Sequence, residues 1–240
     1  MAKWSTAERV VFEQTVLDKI EAVVGKLNET GKKADSKNSW AYDYRNYSAP
    51  KIRKVHIGGV TLRPPAPKMQ VSTCGIHPAY EYDIPRFALE WLERQEHTMF
   101  IVDLHPVKDI ILYPDYVEKY LAPLHPIFNK SLEIPGTKTD LTAPSPRQYP
   151  MADQYSRYAI HGEYVPEQTE QAWDLALKFL DVWLEDWKKG EPLKDSEEKK
   201  LNERRFEAMS ELYRTLDPGA RFWIRLGGEK LAKEMQGFSW

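Results

Sequence analysis

The spacing of apolar and polar positions divides the chain into a β-rich first part and a helical last third. Ser5-Thr6-Ala7-Glu8 has the form of a capping box, and Val10, Val11, Val16, Ile20 and Val24 follow at roughly helical spacing. That predicts an opening helix and a polar stop before Gly31, with Lys32 to Asn38 as a charged loop. From Trp40 to Ala79, Gly and Pro signals separate short β runs at Trp40-Ala41-Tyr42, Ile52 to Ile57, Val60 to Leu62 and Met69 to Ile76. Ile84 to Leu92 and Thr98 to Leu104 extend the sheet, and Pro114 to Leu124 reads as a short helix with Pro at its start. His125 to Asp153 is long, irregular and rich in Pro, Ser and Thr, a pattern more often functional or mobile than structural. A last strand is predicted over Tyr155 to Val165.

Beyond it, Glu167 to Lys188 places Ala172, Leu175, Ala176, Phe179, Leu180 and Trp183 on one helical face. Asp195 to Leu216 reads as a strongly charged helix, and Pro218 to Gln236 as one or two shorter ones around Gly227-Gly228. No internal repeat, low-complexity tract or linker interrupts the chain, so residues 1–240 are expected to form a single domain. Strands first, with helices on both flanks, predict an α/β (α+β) fold. It is expected to be one three-layer α/β/α sandwich with a mainly antiparallel central sheet.

Bulk properties narrow the function by exclusion. A net charge of −2 gives no general attraction to nucleic acid or to an anionic membrane, so an acidic protein partner would need a local basic patch. The lone Cys74 leaves no internal disulfide and too few thiolates for a cysteine-held iron–sulfur cluster. No apolar run reaches the length of a membrane span, and no signal-peptide core is visible. Paired His and carboxylate spacing for a metal hydrolase is missing, as are a phosphate-cradling loop and a nucleophile elbow, so no metal is expected. The 8 Trp and 13 Tyr suit a pocket for a large flat ligand and a well-packed core equally.

The candidate chemistry centres on Glu90, a carboxylate inside a strand that otherwise reads as buried, Phe87-Ala88-Leu89-Glu90-Trp91. Two readings are open. Buried, its pKa would rise and it would carry a proton near neutrality, as an acid in the reduction of an organic substrate must. On an edge strand it would simply point to water. Asp217, before Pro218 at a junction between helices, is locally a helix N-cap, and a capping carboxylate can still turn one oxygen to a pocket.

Asp83-Ile84-Pro85, Phe87, Glu90 and, after a loop, Asp103-Leu104-His105-Pro106 resemble the core of the ferredoxin-dependent bilin reductase superfamily. The likeness continues through Val107-Lys108-Asp109 and Tyr113 to Tyr120, and is weaker over the rest of the chain. It is most similar to the red chlorophyll catabolite reductases, which carry Glu where most bilin reductases have Asp. The resemblance implies the same sandwich and the reduction of a linear tetrapyrrole by single electrons from ferredoxin, with no bound cofactor. Glu90 would be the main proton donor, and Asp217 would protonate or orient the substrate from the opposite face. Members that form phycocyanobilin have a His seventeen residues before the sheet carboxylate, where this chain has Thr73. Chemistry that relies on that His is therefore in doubt.

Thr73, Ile160 and Arg221 complete the expected substrate contacts, Arg221 as a partner for a propionate or else as a plain surface Arg. His77, before Pro78, is expected in a turn, and His105 at a solvent-facing strand end; His161 fits a pocket or a plain sheet face equally. For docking ferredoxin the candidates are Lys51, Arg53 and Lys54, with Lys108 and Lys119 near a pocket edge. Lys199, Lys200, Arg204 and Arg205, mixed with Glu197, Glu198 and Glu203, read as a solvated helix face. The rival substrate is biliverdin or another bilin. The rival of a different class is a tetrapyrrole carrier without catalysis. A monomer or homodimer is expected. Met1-Ala2-Lys3-Trp4 leads almost directly into the first helix, which leaves no room for a transit segment and points to a bacterial or cyanobacterial cytoplasmic protein or a trimmed plastid one.

Overall fold

The computed structural model describes residues 6–64, 68–94, 96–138, 154–217 and 219–239. Helix α1 (Thr6–Val24) is followed by six strands that each pair antiparallel with the next. They are β1 (Asn28–Lys37), β2 (Trp40–Ala49), β3 (Ile52–Leu62), β4 (Met69–Pro78), β5 (Arg86–Glu93) and β6 (Thr98–His105). A broken helical run over 114–124 leads into α2 (His125–Ser131). The two-residue β7 (Thr137–Lys138) pairs with β8 (Ile160–Tyr164), which closes on β6. The sheet order is thus β1-β2-β3-β4-β5-β6-β8-β7. Helices α3 (Thr169–Lys189), α4 (Ser196–Leu216) and α5 (Gly219–Ser239) end the fold.

Strand alternation separates the two faces. On β5, Phe87, Leu89 and Trp91 are buried against the first helix layer, while Arg86, Ala88, Glu90 and Leu92 point the other way. That first layer is α1 with α3. Phe12, Val16, Ile20 and Val24 lie one above another at a spacing of four and are all buried, and the apolar stripe of α3 is the one the sequence predicts. Trp173 joins the layers, its ring centroid 4.6 Å from Phe12 and 5.7 Å from Trp91. Each such large side chain contributes roughly 2–3 kcal/mol by leaving water. Trp183 adds a hydrogen bond from Nε1 to the Pro85 carbonyl at 2.8 Å, which fixes where β5 begins.

The second layer is α4 with α5. Asn202 of α4 donates to the carbonyls of Tyr80 and Tyr82, both at 2.8 Å, tying the helix to the β4–β5 connection. Met235 of α5 packs with Tyr44 and Val60, and Asn46 donates to the Phe238 carbonyl at 2.9 Å. The three-layer sandwich expected from the sequence is therefore present. Among the described residues its sheet is antiparallel throughout.

Several boundaries differ from the sequence reading. The stretch from Lys32 to Asn38 is no loop: all but Asn38 belongs to β1, an exposed edge strand whose strand partner among the described residues is β2. Its lysines lie where an edge needs protection from further pairing, and its apolar residue, Ala34, is exposed and sets up no alternation that would betray it. Strand β3 runs unbroken through Gly58-Gly59, because Gly58 adopts φ 155° where the chain approaches Asp43 and Tyr44 closely. The 114–124 segment passes from α to π to 3-10 geometry, and Pro123 removes a donor that a regular helix would need. Within the predicted irregular stretch, 125–131 is helical; residues 139–153 lie outside the described residues, as do Ser5 of the capping box and Pro218. Tyr155 to Tyr158 precede β8 rather than belonging to it. At the C-terminus the expected break falls at Gly227 and Gly228, the latter with φ 82°.

Candidate active site

A cavity of about 640 Å³ lies between the open face of the sheet and the second helix layer, a size suited to an organic ligand. Its sheet wall is a grid. Across it run Thr73, Glu90 and Ile101, paired in register on β4, β5 and β6. Gly75 and Ala88 form the next row on one side, and Val60, Val71, Leu92 and Met99 the row on the other. The helix wall supplies Tyr213, Asp217, Phe222, Trp223 and Met235, and Tyr155 comes from the segment before β8.

Glu90 is half-buried, with its exposed part on the cavity. Burial pushes its carboxyl up to about 7, helped by the negative charge of Asp217. Asp217 caps the α4–α5 junction: its Oδ1 accepts from the Gly219 N–H at 2.8 Å, and its own N–H donates to the Tyr213 carbonyl at 3.1 Å. Burial raises its pKa, while the Gly219 bond and the nearby Arg86 charge oppose the rise. The local reading of Asp217 as a cap and the pocket-facing reading are thus both met by one side chain. The cavity holds two carboxyls in unlike settings, one attached to the rigid sheet and one to a helix junction. Such a pair can hold different protonation states at one pH.

Around them the structure collects groups that the sequence reading placed elsewhere. His77 and His105, expected in a turn and at a solvent-facing strand end, are each 1 % exposed and line the cavity. Burial and the Arg86 charge hold both imidazoles well below their ordinary pKa. His105 stacks on Tyr213 with ring centroids 5.8 Å apart and meets the edge of Tyr155 at 5.3 Å. Behind it, Asp103 accepts hydrogen bonds from the Ser156 N–H at 2.8 Å and the Ser156 hydroxyl at 2.5 Å. Asp103 Oδ2 lies 3.6 Å from His105 Nε2, but burial raises the Asp103 carboxyl to about 7 and keeps the imidazole neutral, so the contact is not an ion pair near neutrality. Arg86, 1 % exposed, lies over the Tyr213 ring at 4.9 Å. His56 takes part in hydrogen bonds with Asn46 at 2.9 Å and Ser239 at 3.0 Å, and burial lowers its pKa to about 3.

Of the expected substrate contacts, Thr73 lines the cavity beside Glu90, but Ile160 and Arg221 do not. Ile160 pairs with Val102, on the core face of β6, and is completely buried in the apolar core. The residue of β8 that shares a face with the cavity-lining Ile101 is His161. Arg221 is exposed on α5, and Arg225, one turn on, takes the position at the cavity. Strand parity carried the missed signal: Arg86 and His77 each lie four residues from Glu90 or Thr73, on the same face.

The proposed docking cluster is largely committed to the fold. Lys51 donates to the carbonyls of Trp187 at 3.0 Å and Gly190 at 2.8 Å, capping α3. Arg53 lies over the Tyr80 ring, and Lys54 donates to the Phe238 carbonyl at 3.3 Å. Lys108 bridges Asp83 at 3.0 Å and Glu198 at 2.5 Å. Lys119 lies 4.4 Å from the centroid of the Tyr120 ring. A second hollow, lined by Glu197, Lys200, Glu203, Arg204 and Glu207, is open charged surface on α4, as the mixed charges predict. Among the described residues no cluster of three His, Cys, Asp or Glu could hold a metal, and no helix is long and apolar enough to cross a membrane.

Comparison with known proteins gives the site a context. The pattern of one family, ferredoxin-dependent bilin reductase, matches residues 7–236. No curated protein sequence matches the chain. Among solved structures, phytochromobilin synthase from tomato, in complex with biliverdin, superposes with a TM-score of 0.80 at 20% sequence identity. That match covers 97% of this chain and 81% of the tomato one, and at this identity it speaks for the fold.

Proposed function

The chain belongs to the ferredoxin-dependent bilin reductase family, and on that premise we propose that it reduces an open-chain tetrapyrrole in the manner of a red chlorophyll catabolite reductase. The observation that carries the reading is Glu90, a carboxyl that fronts the cavity with its pKa raised to about 7 and Asp217 as the other acid. Reducing one double bond takes two electrons and two protons. Ferredoxin supplies the electrons singly, without a cofactor bound to this chain. After each transfer the pigment gains basicity, and a nearby acid must deliver a proton to one atom before the radical is lost elsewhere. Glu90 is protonated over the pH range below about 7 and gives up its proton there. Asp217 holds the pigment from the helix side and supplies or orients the second proton. The apolar row of Val60, Val71, Leu92 and Met99 takes the flat rings and excludes water.

A second substrate, biliverdin or a related bilin, is favoured by the structural likeness to a protein solved with biliverdin. Thr73 in place of an imidazole speaks against the phycocyanobilin-forming chemistry. Anaerobic turnover with reduced ferredoxin, offered red chlorophyll catabolite and biliverdin in turn, tests the reading. Bleaching or a colour shift that requires ferredoxin supports reduction, and the pigment converted names the branch. An absorbance change on mixing, with no further change on adding reduced ferredoxin, would establish the carrier instead.

A further inference from the structure

The pairing of β6 with β8 ends at Val102 and Ile160, one residue short of Asp103. Beyond that point a side chain takes over from the backbone ladder. Asp103 pairs with Ala88, so it shares the sheet face of Glu90, and it is completely buried. The other members of its row, Ala88 and Gly75, are small and leave room above them. Into that room comes Ser156, which donates its N–H to Asp103 Oδ2 at 2.8 Å and its hydroxyl to Oδ1 at 2.5 Å. The Tyr158 N–H in turn donates to the Ser156 hydroxyl at 3.1 Å, and the Ala159 N–H to the Ser156 carbonyl at 3.3 Å. These bonds close a turn that leads into β8 and tie it to the sheet at one carboxyl.

What the tie fixes is the residue before it. Tyr155 lines the cavity and stands edge-on to the His105 ring at 5.3 Å. A hydrogen bond joins its hydroxyl to that of Tyr213. Burial raises its pKa, and the negative charges of Glu90, Asp103 and Asp217 raise it further, so the phenol is a neutral donor wherever the cavity acids titrate. Both proposed proton donors are thus near enough to act on it. Tyr155 belongs to neither the sheet nor the α4–α5 layer, so its place depends on what holds the turn.

Resting on the reading of the chain as a tetrapyrrole reductase, we infer that Tyr155 is a further substrate-touching residue, donating to a lactam oxygen of the pigment. Asp103 is the positioning residue that holds it there through Ser156. An open-chain tetrapyrrole ends in lactams, and their oxygens gain negative charge when the pigment takes up an electron. A donor already in place strengthens with that charge and needs no rearrangement at the moment of transfer. Holding Ser156 at both its N–H and its hydroxyl fixes the position and the orientation of the turn, which a single bond would not do.

Single-turnover reduction by reduced ferredoxin and absorbance titration of binding separate rate from affinity. The pigment is red chlorophyll catabolite or biliverdin, whichever the wild-type protein converts. Tyr155→Phe should slow reduction on the order of tenfold while pigment affinity changes by less than about threefold. Asp103→Val should slow it to a similar degree, and Asp103→Asn, which keeps an oxygen for Ser156, should recover part of the loss. Adding Tyr155→Phe to Asp103→Val should then cost less than about twofold more, because both remove one arrangement. Ser156→Ala, a smaller change, gives the same cycle should Asp103→Val not fold. A wild-type rate in Tyr155→Phe overturns the contact with the pigment. Losses that multiply in the double variant overturn the link from Asp103 to Tyr155. Conversion of neither pigment by the wild-type protein overturns the reductase reading and this assignment with it, whereas an active wild type beside an unaffected Tyr155→Phe overturns the assignment alone.

Discussion

Thr73 pairs directly with Glu90 across β4 and β5, and both line the cavity. A hydroxyl therefore stands beside the carboxyl, and the charge that adds to the rise from burial is Asp217, not an imidazole in that pair. Glu90→Gln removes the proton and keeps the shape, so pigment affinity should stay within about threefold while turnover falls on the order of 10²–10⁴-fold. In the wild-type protein turnover should decline as pH rises through about 7, where Glu90 loses its proton. Single-turnover reduction followed by absorbance across pH 5.5–8.5, conditions ~1.5 units either side of that midpoint, checks both. Full activity of the Gln variant would remove Glu90 from the mechanism.

Asp217 has two tasks that a substitution can separate. Asn keeps an oxygen to accept from the Gly219 N–H, whereas Ala loses the cap at a cost of ~1 kcal/mol. Asp217→Asn should fold as well as wild type and bind pigment, yet accumulate a half-reduced radical or give a different product. Electron paramagnetic resonance during turnover and chromatography of the product read this out. An unchanged product at an unchanged rate would leave Asp217 as a cap only.

How much of this was legible follows from strand parity and from burial. Apolar alternation exposed the central strands, and the 3.6-residue stripe exposed α1 and α3, because both patterns report a buried face. Strand β1 was invisible for the opposite reason: it is a largely exposed edge of charged and polar residues, so no buried apolar face marks it. Glu90 stood out as a charge in an apolar run. His77, Arg86 and His105 did not, because each lies at a strand end where polar residues usually meet solvent, and it is the α4–α5 layer, with Tyr155 at His105, that covers them. Ile160 was misplaced by one position, and in a strand one position exchanges the two faces. Arg221 and Arg225 differ by one helical turn, a distinction that needs the helix's rotation about its axis.

The buried carboxyls predict an alkaline weakness. A carboxyl whose folded pKa is raised contributes stability that is whole below its unfolded pKa and is lost as pH climbs through the folded value. Glu90 and Asp103 rise to about 7 and Asp186 to about 8, each chiefly through burial. Stability should therefore fall between about pH 4.5 and pH 8. Asp103→Asn removes one of these protons from the balance and should flatten the slope, by on the order of 2 kcal/mol across that range. Urea unfolding at pH 5.5, 7.0 and 8.5, values spaced ~1.5 units across that window, measures it. A slope identical to wild type would mean that Asp103 titrates in the fold as it does in the unfolded chain.

Gly58 offers a test of the wall behind the site. It pairs with Thr73 on one side and Tyr44 on the other, and Tyr44 itself lines the cavity. With φ at 155°, a side chain is strained there, and a Cβ would collide with the Asp43 carbonyl oxygen and the Tyr44 Cα. Backbone cannot yield as a side-chain tip does, so β2 would be pushed off β3 and the Tyr44–His56 stack, at 5.0 Å, would open. Gly58→Ala should cost roughly 2–4 kcal/mol by denaturant unfolding, well above the usual effect of a single added methyl. Gly59→Ala, one residue on and without a positive φ, should cost less. Equal costs would show that β3 tolerates a side chain at Gly58, and that its continuity past the cavity does not depend on that glycine.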